Sequence, residues 1–526
     1  MTTTLAIVRG IPALVLLLVL LVAPGVSTRP SGSAGAAHAA HAAHATLARL
    51  SQTSGAATTT TSAAAIRGVS VTGSEYACIG DGTAAHPGWG YSERPVDAAL
   101  VSDLEELHAT HVRLPLNEDC YLGINATSAY TGAGYRAWLQ SAVDTLTGAG
   151  LSVILDLHWT APGGQAATRQ ASMPDADHSP AFWRAVATQF AGNPHVLFEA
   201  FNEPIAVSNG DSDQNWACWR DGGAACPGLG YQAAGMQALV DAIRATGATQ
   251  PIIVNGIGYA QIMTQYLAYV PHDPLGNLMA GVHPGGWCPD AGCWDREYAP
   301  IAAVMPLIAT EVYDHGTLPV DPHGAIYTLL DWLDAHGAGE LAWVDNTWGN
   351  GETLRNGDGS LASWGWLWRA HTRASLGLAG PAVVDGGFES GWAGANSLYF
   401  GAPSIVPYAA HTGGHAEQLS AANDGVGQAL GNLTRGQPIT ASVWATNKVA
   451  GQAVCLAFAG APQAPACSTA TTYTQLTTTY TPTTTSAIVL VYKQSGFDAS
   501  WVDDLSVIRD AAGPVFSATP TPADTA

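Results

Sequence analysis

Residues 152–159 read SVILDLHW, residues 179–192 read SPAFWRAVATQFAG and residues 195–204 read HVLFEAFNEP. The first and third are short, apolar at their start and rich in strand formers, while the middle one repeats apolar residues at helical spacing. A strand, an amphipathic helix and a second strand in that order form one parallel βαβ unit. Working outward from it, the same unit recurs. Further strands are expected at 66–73 (IRGVSVTG), 111–116 (HVRLPL), 251–258 (PIIVNGIG), 278–287 (LMAGVHPGGW), 306–313 (PLIATEVY) and 341–348 (LAWVDNTW). Helical stretches lie between them, as at 95–111, 135–150 and 230–247. Eight strands alternating with helices give an α/β fold, a (β/α)8 barrel over 66–378. An open doubly wound sheet is the alternative, but no Gly-rich phosphate loop follows the first strand.

Several of these strands end in polar or aromatic residues. In a barrel the strand C-termini surround one mouth, so residues far apart in sequence converge there. Glu203 and Glu311 each close an expected strand, the fourth and the seventh. Two carboxylates across a mouth suit glycosidic-bond cleavage, one protonating the leaving oxygen while the other attacks the anomeric carbon. The bland alternative, a structural glutamate paired with an arginine, fits a lone Glu better than it fits this pair.

The mouth residues resemble glycoside hydrolase family 5, the cellulase-like retaining β-glycosidases. The resemblance implies roles position by position. Arg113, in VRLP, matches the strand-two arginine beneath the nucleophile; His158, in DLHW, the histidine lining the sugar site; and Asn202 and Glu203, in NEP, the residue bonding the sugar 2-hydroxyl and the acid/base. His283 matches the strand-six histidine, Glu311 the nucleophile and Trp343 the tryptophan that stacks on the sugar at the cleavage point. Arg113, His158, Asn202, His283 and Trp343 therefore count as substrate-binding, with Trp159 and Trp287 added as rings at strand ends. One position departs from the family: His283 is followed by Pro284 and Gly285, not by the tyrosine expected two residues on, and Trp287 and Tyr313 are the candidates for its place. The implied activity is hydrolysis of a polysaccharide by double displacement, foremost as an endo-β-1,4-glucanase, with no cofactor and no metal. A β-mannanase, β-1,3-glucanase or glucosidase is the alternative enzyme, and a glycan-binding protein with a decayed barrel the alternative outside catalysis.

Composition bounds the rest. The 526 residues exceed one ordinary domain. Charged residues are 11%, and 41 acidic against 19 basic side chains give a net charge of -22, which repels nucleic acid and anionic membranes. Lysine occurs only at 448 and 493, so Schiff-base chemistry has no candidate before the C-terminal region. Seventeen tryptophans suit sugar stacking. Trp89 and Trp348 are further subsite candidates, Trp138, Trp183 and Trp332 read as helix packing, and WGWLW at 364–368 leans toward core.

Residues 1–28 carry Arg9, an apolar run and small residues, the layout of a secretory leader. Secretion is expected, with an uncleaved membrane anchor as the alternative. Residues 29–65 read as a low-complexity tether, its three histidines at 38, 41 and 44 included. Eight cysteines, three pairs of them close in sequence (Cys218 with Cys226, Cys288 with Cys293, Cys455 with Cys467), favour disulfides in an oxidising compartment, with Cys78 and Cys120 the remaining candidates. From 381 to 510 short alternating runs without a long amphipathic helix indicate a smaller β-sandwich. GGFESGW at its start and WVDDLSV at its end resemble CenC-like carbohydrate-binding modules, with Trp392, Tyr399 and Tyr408 as possible sugar contacts and Asp503 and Asp504 as a possible calcium pair. Residues 511–526 read as a disordered tail. The expected partner is a polysaccharide, approached by a monomer that needs no nucleic acid and, once the leader is removed, no membrane.

Overall fold

A computed structural model describes residues 62–79, 90–125, 128–313, 325–348, 352–380, 382–389 and 397–509. The leader, nearly all of the tether, the tail, Trp89 and Trp392 lie outside these residues. Eight parallel strands close a barrel: β1 Arg67–Ser70, β2 His111–Asn117, β3 Ser152–Trp159, β4 Val196–Glu199, β5 Ile252–Asn255, β6 Leu278–Val282, β7 Leu307–Val312 and β8 Gly339–Ala342. β8 returns to β1 through Arg67↔Glu340 and Gly68↔Leu341. The helices between strands bury their apolar stripes on the barrel; Ser179–Phe190 turns Phe182, Trp183, Val186 and Phe190 inward. Strand four stops at Glu199, so Glu203 stands in the loop beyond it and not at the strand end, whereas Glu311 lies within β7.

Period-two alternation fills the barrel in layers. Ile154, Leu197, Ile253, Met279, Ile308 and Leu341, one from each of β3 to β8, form an apolar floor with Ala63 and Ile66. Ala63 belongs to a short 3-10 turn at Ala63–Ala65, so the packed barrel starts within the stretch assigned by sequence to the tether. All eight cysteines pair, as Cys78–Cys120, Cys218–Cys226, Cys288–Cys293 and Cys455–Cys467.

The C-terminal strands form two five-stranded sheets. One runs β10 (Ser404–Val406), β11 (Ala416–Leu419), β18 (Ser500–Arg509), β13 (Ile439–Asn447), β16 (Thr474–Tyr480). The other runs β15 (Ala466–Ser468), β14 (Ala453–Phe458), β17 (Ala487–Ser495), β12 (Gly425–Leu430), β9 (Ser397–Phe400). Their facing sides share a core of Val443, Leu456, Val489, Val502 and neighbours. The outer side of the second sheet is not solvated. Leu398, Phe400, Ala457, Ile488 and Leu490 join the barrel's own apolar cluster, and Tyr399 meets Trp366 edge-on at 5.2 Å. Trp366 comes from the helix Ser363–Ser375, whose Trp364 and Trp368 are core, and Arg369 lies over its ring at 4.2 Å. Tyr399 is thus engaged with the barrel, while Tyr408 stays 55% exposed. Asp503 accepts from the backbone N–H groups of His411 and Thr412 and Asp504 pairs with both side chains, so these acids anchor a loop.

Candidate active site

Above the apolar floor the same alternation turns polar. Counting by two from Ile154 reaches Asp156 and His158; from Leu197, Glu199; from Ile253, Asn255; from Leu341, Trp343. Arg113 of β2 occupies the centre of this layer with no exposed surface. Its Nε and Nη2 donate to the two oxygens of Glu199 at 2.6 and 3.0 Å. Nη1 donates to Glu311 Oε1 at 2.7 Å, and Nη2 also reaches Asn202 Oδ1 at 2.6 Å and Asp156 at 2.9 Å. A buried guanidinium is tolerable only when paired in this way. Arg113, grouped by sequence with the substrate-binding residues, lies under the cavity and outside its lining, where it holds groups that face the cavity.

That cavity, about 210 Å³, is lined by Glu203, Glu311, His158, His283, Tyr313 and Trp343, with Asn202, Gln261 and Glu352 at its margins. One oxygen of Glu203, one of Glu311 and a ring nitrogen of His283 lie within 4.8 Å of one another. His283 Nδ1 is 3.0 Å from Glu203 and 3.7 Å from Glu311, and its Nε2 is 3.0 Å from Thr310 Oγ1. His158 pairs with Asp156 at 2.6 Å and lies parallel to Trp343, ring centroids 6.1 Å apart. Asn202 Nδ2 donates to Gln170 Oε1 at 2.6 Å.

Burial raises the pKa of Glu203, with His158 and Arg113 pulling it partly back. Burial raises Glu311 as well, against the pull of His283 and Arg113. Of the two, only Glu311 has a guanidinium in hydrogen-bond contact. Both histidines are pushed down to about 4, chiefly by burial, and are neutral at pH 7.

The structure thus gathers Glu203, Glu311, His158, Asn202, His283 and Trp343 around one cavity. Trp159 and Trp287 are not part of its lining. Trp159 packs near Tyr76, centroids 6.1 Å apart, and Trp287 is 49% exposed. Trp348, 41% exposed, donates to the Glu93 carboxylate. Of the two candidates for the missing tyrosine's place, Tyr313 lines the cavity and Trp287 does not. Sequence reasoning missed Asp156, Glu199 and Asn255, although strand alternation carried the signal. It also missed Gln170, Gln261 and Glu352, which sit in loops where no periodicity applies.

A buried arginine under facing carboxylates at the mouth of a (β/α)8 barrel suits glycosidic-bond cleavage, in which one carboxyl protonates and the other attacks. Residues 63–284 match the family model Cellulase (glycosyl hydrolase family 5), so the barrel region carries a cellulase-type family 5 domain. Among solved structures it is similar to an endo-β-1,4-glucanase of Xanthomonas axonopodis pv. citri, at 17% identity over 58% of this chain and 98% of that one, TM-score 0.42. It is similar to Pseudomonas stutzeri endoglucanase Cel5A in complex with cellobiose, at 18% identity over 59% and 92%, TM-score 0.43. It is also similar to a mannanase catalytic domain from Streptomyces sp. SirexAA-E, at 20% identity over 57% and 82%, TM-score 0.39. No curated protein matches the chain.

Proposed function

We propose that the chain is a secreted retaining β-glycosidase, an endo-β-1,4-glucanase, with Glu311 as nucleophile and Glu203 as acid/base. The observation that carries this reading is the approach of one oxygen of each carboxylate to within 4.8 Å, with Arg113 bonded to Glu311 and not to Glu203. Inverting enzymes leave room for a water between their carboxyls, which then stand about 6.5–9.5 Å apart; retaining pairs stand at about 5–5.5 Å. In the first step Glu311 attacks the anomeric carbon while Glu203 gives its proton to the departing glycosidic oxygen. In the second, Glu203 takes a proton from water, the water oxygen bonds to the anomeric carbon, and Glu311 leaves as a carboxylate. Asn202 holds the 2-hydroxyl, and Trp343 stacks on the sugar beside His158.

The sandwich is read as a glycan-binding module that keeps the barrel near its polymer. Its free sheet supports this with Tyr408 and Trp501, both bonded to Gln418, and with Trp444 stacked on His411. Four disulfides support an oxidising, extracellular setting. Among the described residues no helix is long and apolar enough to cross a membrane.

Reducing-end release from carboxymethylcellulose, mixed β-glucan, mannan and xylan, wild type beside Glu311→Gln, tests the reading. Release from a β-1,4-glucan that vanishes in the variant is expected. Release from mannan alone would change the substrate, and a folded wild type silent on every polymer and on aryl glycosides would overturn the enzyme reading.

A further inference from the structure

Beside Arg113, in the same layer, stand polar side chains that do not line the cavity. Glu199 is fully buried at the end of β4 and takes the Nε and Nη2 edge of Arg113 as a fork. Two parallel N–H···O bonds fix a guanidinium in plane as well as in position. Glu199 is itself held: Asn255 Nδ2 donates to its Oε1 at 2.7 Å and to the carbonyl of Asn202 at 2.6 Å. Asn255 therefore ties the residue beside Arg113 to the backbone next to Glu203.

Two features show that space is kept for this asparagine. Its Oδ1 is buried without a hydrogen-bond partner, a cost that a leucine of similar size would avoid. Across the β5–β6 ladder Asn255 pairs with Gly281, where an added Cβ would fall 1.6 Å from Asn255 Oδ1. Gly281 does not have a positive φ. Its missing side chain is explained by the room that Asn255 takes.

We propose that Glu199, oriented by Asn255 in the space left by Gly281, is a positioning unit that locks Arg113 beneath Glu311 and thereby keeps that carboxylate ionised and aimed. The inference rests on Glu311 being the nucleophile. It places the control of that group below the cavity, on fully buried residues outside its lining.

The test is the pH dependence of kcat/KM on an aryl β-cellobioside for wild type, Glu199→Gln and Asn255→Ala, with thermal unfolding measured alongside. Glu199→Gln would set an amide N–H against the guanidinium and break the fork, freeing Arg113 to leave Glu311. The expected result is a fall in kcat of about 10- to 100-fold with little change in KM, and an acidic limb displaced to higher pH. Asn255→Ala leaves every charge in place and is expected to move the limb in the same direction by less. Gly281→Ala, which crowds Asn255 without touching a polar group, covers the case in which Glu199→Gln does not fold, and is expected to do likewise. A merely structural role would lower the melting temperature and leave the limb unmoved. A pure charge effect would move it to lower pH, since removing an anion favours ionisation of Glu311. Either result overturns the proposal. Failure of the underlying reading is distinguishable, because Glu311→Gln would then retain activity in the same assay.

Discussion

At the scale of single residues, the chemistry divides between two glutamates whose surroundings differ by one contact. Glu203 has a neutral histidine beside it, whereas Glu311 has Arg113 at 2.7 Å. The proposed roles of acid and nucleophile rest on that difference. Glu203→Gln should slow hydrolysis of an unactivated glucan by about 10²- to 10⁴-fold while leaving the first step fast on a dinitrophenyl glycoside, whose leaving group needs no proton. Stopped-flow release of dinitrophenolate should then show a burst followed by slow turnover; equal slowing of burst and turnover would remove Glu203 from the acid role. Most of this site was legible because its members end strands and carry a motif in order. Arg113 was legible as a residue but not in its depth: spacing places it on β2, whereas its complete burial follows from four partners contributed by β3, β4, β7 and the loop after β4. Tyr313 as a cavity-lining ring was visible only as one of two candidates, since the turn after β7 and the loop after β6 have no period that fixes direction.

At the scale of elements, eight strands and their order were readable from alternating texture, and the closed barrel follows from it. The length of β4 was not readable, because FEAF is as strand-like as VLFE; beyond Glu199 only single backbone bonds remain, from Ala200 N–H to the Ile253 carbonyl and from Asn202 N–H to the Leu157 carbonyl. The junction between helix Ala325–Ala335 and the sandwich was not readable either. Asp331 on that helix is half-buried and pushed up to about 7, chiefly by desolvation, with His371, Asp334, Glu340 and Tyr480 acting on it. A carboxyl raised in the folded state contributes stability that is complete below its unfolded pKa of about 4 and is lost as pH rises through 7. Asp331→Asn cannot ionise, so its melting temperature should match wild type near pH 3 and exceed it at pH 8, a difference on the order of 4 kcal/mol in stability. An advantage that is the same at both pH values would show that ionisation of Asp331 does not govern this junction.

At the scale of the whole molecule, the sequence suggested a barrel followed by an independent module, and a change of texture near residue 378 supports that division. The packing is more intimate, because one sheet of the sandwich buries its outer side in the barrel's apolar cluster. Composition could not reveal this, since a doubly buried sheet and a half-solvated one differ only in which alternate residues are apolar. The net charge of -22 has its own consequence at this scale. Carboxymethylcellulose is a polyanion, so at low ionic strength its hydrolysis should rise several-fold as salt is added from about 10 to 200 mM, while hydrolysis of neutral β-glucan stays level. Parallel responses of the two substrates would mean that long-range repulsion plays no part. The claim on which all three scales depend is a covalent bond between sugar and Glu311. It is tested most directly by incubating the protein with dinitrophenyl 2-deoxy-2-fluoro-β-cellobioside and locating the adduct by mass spectrometry of the digested chain. One sugar on the peptide that carries Glu311 is the expected result; an adduct on another residue, or active protein that never becomes labelled, would contradict it.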